Sequence, residues 1–301
     1  MKEKFLIIDT YNMIIRSKNS KGKTIELFIK TLYDSILLFN PTRVIMPIDD
    51  YVGNSFRRKI LPTYKQRNDK QLLNHSLDYN FKKEKFSILK IIKTILPVYF
   101  LKYKGYEADD IISIICKIIS DNIDIIIWSN DLDLVQLQQK FNNVKVYDPK
   151  SKSFFKSPKY NLAYYKSIIG DKSDNIPGII EMNHKMAKKA LSSYSEFIRL
   201  IASDPIKYIK YKNNLKIIDL INNNLEIPSN LIFILESSVK YHQKAFERIL
   251  KNNKIYSIIK QINEYHQAFY YLEKYSEIKG DNFFNKGAGK WMKDVMEKEF
   301  L

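Results

Sequence analysis

The chain has 301 residues, 45% of them hydrophobic, which allows one large packed domain or two smaller ones and argues against global disorder. Lysine and arginine number 50 against 33 acidic residues, a net charge of +17. This charge favours a polyanionic partner, nucleic acid ahead of an acidic membrane, over a basic protein without such a partner. A single cysteine, Cys116, excludes an internal disulfide. Because no apolar run approaches the ~20 residues that span a bilayer, we expect an intracellular, cytoplasmic protein with no membrane segment.

Short apolar runs alternate with helical spacing along the first half of the chain. Apolar runs that predict buried strands lie at 5–8, 44–46, 98–101, 123–128, 144–147 and 153–155. Helical spacing lies at 24–39, 81–95, 107–120 and 162–169. This alternation predicts an α/β fold with a central, mostly parallel sheet flanked by helices. Ligands of such sheets bind at the carboxyl ends of the strands.

Acidic residues collect where the predicted strands end and the next helices begin. Seven of them are Asp9, Asp50, Glu107, Asp109, Asp110, Asp131 and Asp133. One or two acids at a helix start are ordinary, because the unpaired N–H groups there favour negative charge. So many carboxylates at one sheet edge would raise one another's pKa unless a cation lay among them. We therefore predict a divalent-metal site of oxygen ligands, which suit Mg²⁺ or Mn²⁺.

Two further acids, Asp171 and Asp174, stand in the turn 170–178, which contains Asn-Ile-Pro-Gly. By itself this turn is an ordinary capped loop. Beside the other acids, it could complete the metal site.

A basic and aromatic stretch interrupts the α/β pattern between about residues 62 and 85. Loops of this length inside compact domains are usually functional or disordered. Lysine and arginine neutralise phosphates, and aromatic rings stack on unpaired bases. The stretch therefore predicts a nucleic-acid contact, and a solvated basic face is the alternative that its composition leaves open.

Five motifs in order resemble those of the 5′-nuclease family, which includes flap endonucleases, phage 5′ exonucleases and the 5′-nuclease domains of bacterial DNA polymerases. They cover about the first 190 residues: Ile7-Ile8-Asp9 with Asn12; Asp50 with Phe56-Arg57, Tyr64-Lys65 and Arg67; Tyr106-Glu107-Ala108-Asp109-Asp110; Ser129-Asn130-Asp131-Leu132-Asp133; and the segment from Gly170 to Gly178. Each motif is short and weak by itself, whereas their order and spacing are specific. The helical, lysine-rich remainder looks most like the phage ribonuclease H branch.

The resemblance implies a PIN-like 5′-nuclease core over 1–158 with an arch or clamp at about 62–85. A helical DNA-binding region over 159–278, with a degenerate helix-hairpin-helix at about 170–191, and a tail over 279–301 would follow. Glu181 and Asn183 stand where the family usually has glycine, which puts duplex gripping by that hairpin in question.

The resemblance also implies two or more Mg²⁺ ions, replaceable by Mn²⁺. The implied metal ligands are Asp9, Asp50, Glu107, Asp109, Asp110, Asp131, Asp133, Asp171 and Asp174. Asp49 is left out because it is out of register with the motif. Lys65 and Arg57 are the candidates for steadying the phosphate as charge develops. Nucleic-acid contacts are predicted at Arg57, Arg58, Tyr64, Lys65, Arg67, Lys82, Lys83, Lys85, Lys185, Lys188 and Lys189.

The implied activity is that of a 5′-3′ exonuclease or flap endonuclease with ribonuclease H activity, acting as a monomer in phage-type replication. The expected substrates are 5′ flaps, nicked or forked DNA and RNA primers on DNA. A single-strand-binding protein or sliding clamp would be a further partner, and the host cytoplasm the location of a phage-encoded protein. Two alternatives stay open: a catalytically silent DNA-binding or scaffolding relative, and a PIN-type ribonuclease.

Overall fold

The computed structural model describes residues 3–18, 23–50, 55–66, 79–119, 121–223 and 225–277. Within these residues six strands form one sheet in the order β3-β2-β1-β4-β5-β6. The strands are β1 (Lys4–Ile8), β2 (Arg43–Pro47), β3 (Tyr99–Leu101), β4 (Asp124–Trp128), β5 (Val144–Asp148) and β6 (Ser153–Phe154). The first five are parallel and β6 is antiparallel to β5, so the predicted α/β fold is confirmed.

Helices connect the strands and cover both faces of the sheet. Those up to the end of the sheet are α1 (Thr10–Arg16), α2 (Thr24–Phe39), α3 (Ser55–Ile60), α4 (Tyr79–Thr94), α5 (Ala108–Ile118), a 3₁₀ turn (Leu132–Leu134) and α6 (Val135–Lys140). The predicted helix over 24–39 is matched by α2, which ends because Asn40 adopts a left-handed conformation (φ 45°) just before Pro41. Its first turn is held by Glu84 of α4, whose carboxylate accepts hydrogen bonds from the backbone N–H and the hydroxyl of Thr24.

The second half of the chain is helical, with one short hairpin. The helices are α7 (Leu162–Ile169), α8 (His184–Ala190), α9 (Tyr194–Phe197), a π-helical turn (Ile198–Ala202), α10 (Pro205–Ile218), α11 (Leu231–Glu236), α12 (Gln243–Asn252), α13 (Tyr256–Ile259) and α14 (Ile262–Ser276). The hairpin strands are β7 (Gly170–Asp171) and β8 (Ile176–Pro177). None of the helices that the structure describes is long and apolar enough to cross a bilayer.

Alternating side chains of the strands feed two hydrophobic cores. Leu6 and Ile8 of β1 point into a core made with α2, α4 and the last three helices, while Phe5 and Ile7 point into a core made with α5 and α11. A third, smaller core lies between α7, α8 and α10 and contains Ile168, Ile179, Ala187, Ala190, Ile201 and Tyr211.

The arrangement of the last helices differs from the predicted helical region over 159–278. Phe246 of α12 and Phe269 of α14 are fully buried in the same core as β1, so this part of the chain covers the sheet. The helical unit with its own core is confined to about residues 162–218. Arg67, most of the predicted arch and the predicted tail over 279–301 lie outside the described residues.

Candidate active site

Carboxylates from separate elements come together at the carboxyl edge of the sheet. Asp9 follows β1 and caps α1, accepting a 3.1 Å hydrogen bond from the backbone N–H of Asn12. Ser129, which follows β4, donates from its hydroxyl to Asp9 at 2.9 Å and accepts the backbone N–H of Asp131 at 3.1 Å. This fully buried serine therefore fixes the ends of two neighbouring strands relative to each other. A serine after a strand carries no signal of its own, so the role of Ser129 could not be predicted from the sequence.

The acids at this edge, Asp9, Asp49, Asp109 and Asp131, repel one another and are poorly solvated. Burial, with the neighbouring charges of Asp131 and Asp49, raises the pKa of Asp9 to about 6. Burial, with Asp131, Asp9 and Asp49, also holds the pKa of Asp109 well above its usual value. Among the described residues, none of Asp9, Asp49, Asp109 and Asp131 forms an ion pair. Such a set is stabilised by an added cation.

Asp49, rather than Asp50, lies with these acids. Its carboxylate accepts a 2.7 Å hydrogen bond from the backbone N–H of Ala108, at the start of α5, and its charge acts on both Asp9 and Asp109. Asp50 instead accepts the N–H of Gly105 at 3.1 Å and lies 3.4 Å from the ammonium of Lys102. The structure thus corrects the placement of Asp50 in the metal group, because the chain has left the strand by this point and adjacent residues point in different directions.

Arg57 and Asp110 form a buried ion pair, which corrects both of their predicted roles. The guanidinium donates to the two oxygens of Asp110 at 2.9 and 2.6 Å and to the carbonyl of Ile217 at 3.0 Å. Arg57 is 2% exposed and Asp110 is fully buried, so neither faces a ligand. Asp110 also accepts the N–H of Glu107 at 3.0 Å, which caps the first turn of α5. The pair joins α3, α5 and α10 and so positions Glu107 and Asp109.

Replacing Arg57 with methionine is expected to lower the free energy of unfolding by about 3–5 kcal/mol, because Asp110 would be left as a buried charge without a partner. Urea denaturation followed by circular dichroism measures this change. Arg58→Met serves as the matched control, since Arg58 is its exposed neighbour on α3 and should cost less than about 0.5 kcal/mol. Equal losses in the two variants would contradict the structural role of the pair.

Tyr64 and Lys65 both contact Glu107 but differ in exposure. Tyr64 is 3% exposed and its hydroxyl donates to Glu107 at 3.2 Å, so its predicted contact with nucleic acid is wrong. The Lys65 side chain is 35% exposed, and its ammonium lies 2.8 Å from Glu107 and 4.0 Å from Asp174. Although burial opposes its charge, these carboxylates raise the pKa of Lys65. Lys65 therefore presents a permanent positive charge beside the acids.

The hairpin between α7 and α8 holds Lys65 in place. The backbone N–H of Lys65 donates to the carbonyl of Asp174 at 3.0 Å, and Lys65 itself has a positive φ of 48°. Asn175 donates from its amide to the carbonyl of Gln66 at 2.6 Å. The hairpin is tight, because a Cβ on Gly178 would come within 2.4 Å of the carbonyl oxygen of Ile169. In the sequence Asn175 resembles an ordinary turn residue, so its contact with Gln66 was not predicted.

Asp133 and Asp171 form an outer acidic pair around Lys166 of α7. The ammonium of Lys166 contacts Asp133 directly and lies 2.6 Å from Asp171. Burial raises the pKa of Asp133 to about 6 despite this lysine. Asp171 is half-buried, which opposes its charge, but hydrogen bonds from Lys166 and Ser173 hold its pKa below the usual value. Lys166 was missed because one lysine in a lysine-rich helix carries no signal.

The carboxylate oxygens at this edge fit a hard divalent cation in their chemistry, but the side chains are not arranged around a single metal position. Among the described residues, no three His, Cys, Asp or Glu side chains are gathered in metal-binding geometry. The acids instead form ion pairs with lysines or accept hydrogen bonds from hydroxyl and backbone N–H groups. One oxygen, Oε1 of Glu107, is buried without a hydrogen bond, 3.8 Å from the Arg57 guanidinium. An unsatisfied buried carboxylate oxygen beside other carboxylates is the chemistry that Mg²⁺ and Mn²⁺ prefer.

The remaining predicted nucleic-acid residues lie on α3, α4 and α8. Those exposed to solvent are Arg58, Lys82, Lys83, Lys185, Lys188 and Lys189, and Lys85 is half-buried with its ammonium 4.0 Å from the ring centre of Tyr11. Glu181 adopts a positive φ of 64° before α8, at a position where glycine was expected, and pairs with Lys207 at 3.1 Å. Asn183 caps α8 by accepting the N–H of Met186.

Residues 4–166 match the model of the 5′-3′ exonuclease N-terminal, resolvase-like domain, and the chain belongs to this family. It is 26% identical over 301 residues to a 5′-3′ exonuclease of Mycoplasmopsis pulmonis, spanning 93% of this chain and 97% of that one. It is 25% identical over 210 residues to the ribonuclease H of Enterobacteria phage T4, spanning 64% and 68%.

A solved structure with the same fold is the flap endonuclease of bacteriophage T5 in a pseudo-enzyme-product complex with DNA and metal ions. It has a TM-score of 0.60 and 19% identity and spans 77% of this chain and 92% of that one. The resemblance to the 5′-nuclease family that the motifs indicated is therefore confirmed, and the protein is a member of a family of hydrolases that cut nucleic acids.

Proposed function

We propose that this protein is a divalent-metal-dependent 5′ nuclease that hydrolyses phosphodiester bonds near the 5′ ends of DNA. The observation that carries the proposal is the group of Asp9, Asp49, Glu107, Asp109 and Asp131 at one sheet edge, in which buried negative charges act on one another. A silent scaffold has no physical reason to maintain such repulsion. The group is the inner metal site of the proposal, and Asp133, Asp171 and Asp174 lie towards a second.

The cofactor of the proposal is Mg²⁺, two or more ions, with Mn²⁺ as a substitute. When bound, the ions would polarise the scissile phosphate, activate a water molecule and stabilise the leaving oxygen. The side chains of this chain supply the rest. Ser129 and the N–H of Ala108 orient Asp9 and Asp49, and the buried Arg57–Asp110 pair fixes the start of α5. Lys65 places a positive charge where a phosphate oxygen would gain negative charge.

The proposed substrates are 5′ flaps, nicked or forked duplexes and RNA primers on DNA, processed during phage-type replication. Support comes from the basic excess of the chain and from two similar proteins, one named ribonuclease H and one solved with DNA and metal ions. The exposed lysines of α4 and α8 would neutralise phosphates on two sides of the acids. A single-strand-binding protein or clamp as partner, a monomeric state and a cytoplasmic location stay predictions from the family.

Digestion of a 5′-labelled flap substrate tests the function. We expect release of the labelled end with Mg²⁺ or Mn²⁺ and none with EDTA or with Ca²⁺ alone. A parallel reaction with single-stranded RNA should be at least about tenfold slower. This ratio corresponds to a difference of about 1.4 kcal/mol between the activation free energies of the two substrates. Binding of the flap without any cleavage would favour the silent relative, and faster cleavage of the RNA would favour a PIN-type ribonuclease.

Asp49→Asn and Asp50→Asn test which of the adjacent acids belongs to the site. Asp49→Asn removes a charge from the buried group and is expected to lower the cleavage rate by about a hundredfold or more. Asp50→Asn keeps an acceptor for the N–H of Gly105 and should stay within about threefold of wild type, because Asp50 lies outside the inner group and its ion-pair partner Lys102 is exposed to solvent. Steady-state rates on the same flap measure both. The reverse order of effects would restore Asp50 to the site.

A further inference from the structure

Lys166 supplies the outer acidic pair with a cation from the chain itself. Its ammonium contacts Asp133 and lies 2.6 Å from Asp171, so it is placed between carboxylates that come from different parts of the chain. The carboxylates of Asp133 and Asp171 are the charged groups that act most strongly on Lys166. Its position is that of a small cation held by oxygen ligands.

Most of the inner acids have no equivalent. Glu107 pairs with Lys65 at 2.8 Å, but Asp9, Asp49, Asp109 and Asp131 contact no ammonium or guanidinium group among the described residues. The site therefore has two unlike halves: an inner half in which Asp9, Asp49, Asp109 and Asp131 have no ion-pair partner among the described residues, and an outer half in which Lys166 neutralises one of the two negative charges. A divalent ion entering the outer half must displace Lys166 or stay close to it, and both oppose binding.

We propose that Lys166 occupies the outer cation position and competes with the second divalent ion, so that the protein binds one divalent ion tightly and the next one weakly. The proposal rests on the proposed function, since it concerns the same acids. It adds a residue that sets the metal stoichiometry and the metal concentration at which the outer half fills.

The Lys166 side chain can leave this position. It is 18% exposed, stands on the last turn of α7 and has an unbranched stem with several rotatable bonds. No hydrogen bond other than those to Asp133 and Asp171 holds its ammonium among the described residues. Exchange between lysine and divalent ion therefore needs a side-chain rotation and no change of the backbone.

Titration of the metal-free protein with Mn²⁺ tests the proposal, with free Mn²⁺ measured by electron paramagnetic resonance and no nucleic acid present. In Lys166→Met and Lys166→Gln the second Mn²⁺ is expected to bind at least about tenfold more tightly than in wild type, because a competing positive charge is gone. The first Mn²⁺ should change less than about threefold. Lys166→Gln keeps an amide that can donate to the carboxylates, so it retains a hydrogen-bond donor that Lys166→Met lacks.

Two further variants serve as controls. Lys172→Met removes an exposed lysine next to Asp171 that makes no ion pair among the described residues, and Lys166→Arg keeps the positive charge. Both should leave the second Mn²⁺ as weakly bound as in wild type. Unchanged second-site affinity in Lys166→Met and Lys166→Gln, or an equal gain in Lys172→Met, would overturn the assignment while leaving the nuclease proposal intact. A wild-type protein that binds no Mn²⁺ would instead overturn the proposed metal dependence itself.

Discussion

Asp109→Asn is expected to lower flap cleavage by at least about a thousandfold while leaving affinity for the flap in EDTA within about threefold of wild type. Asp109 is half-buried in the first turn of α5, and its charge acts on Asp131, Asp9 and Asp49 together. An asparagine fills the same volume but cannot supply the negative charge that a divalent ion requires. Single-turnover rates at saturating Mg²⁺ measure the loss, and a gel-shift titration measures the affinity.

The same substitution is expected to make the metal-free protein more stable. Burial and three neighbouring acids raise the pKa of Asp109, which means that its ionised form destabilises the folded state. Removing that charge should add about 1 kcal/mol or more, roughly 2 °C or more in the unfolding temperature in EDTA. Asp50→Asn is the matched control and should not raise the unfolding temperature. A loss of cleavage together with a loss of stability would show that Asp109 acts by supporting the fold.

The framework of the site could be read from the sequence because it depends on two local patterns. Apolar runs of about five residues alternate with helices, which is sufficient to specify parallel strands whose carboxyl ends share one edge. Acids that follow such strands must then lie close together, as Asp9 and Asp131 do through Ser129. The contacts of Asp109 follow from its position in the first turn of α5.

The details beyond the strand ends depend on long-range packing. Whether Asp49 or Asp50 faces the site is decided by which one meets the N–H of Ala108, 59 residues away from Asp49. Arg57 resembles a surface cation in the sequence, because the carboxylate and carbonyl that bury it are 53 and 160 residues further along. The apolar stripe of α12 and α14 is hidden among lysines in the same way, and only tertiary packing shows that these helices cover the sheet.

Lys65→Ala is expected to slow flap cleavage by about a hundredfold to a thousandfold, with little change in the KM for the flap. Of the two cations predicted to contact the phosphate, Arg57 is buried in its ion pair with Asp110 and cannot reach a substrate. Lys65 is partly exposed, and its charge faces the acids. A positive charge there interacts more strongly with the phosphate as negative charge develops than with the ground state. The effect should therefore fall on kcat.

Lys83→Ala gives the contrasting case, because Lys83 is exposed on α4 and its predicted contact is with a phosphate of the bound strand. Its loss should raise KM a few-fold, more at low salt than at high salt because salt screens the lost contact, and leave kcat unchanged. Unfolding temperatures with Mg²⁺ present establish that both variants are folded, and Lys65→Arg should recover part of the lost rate by restoring the charge. Equal kcat values for wild type and Lys65→Ala would remove Lys65 from the chemistry. The backbone contact between Lys65 and Asp174 would then only shape the hairpin.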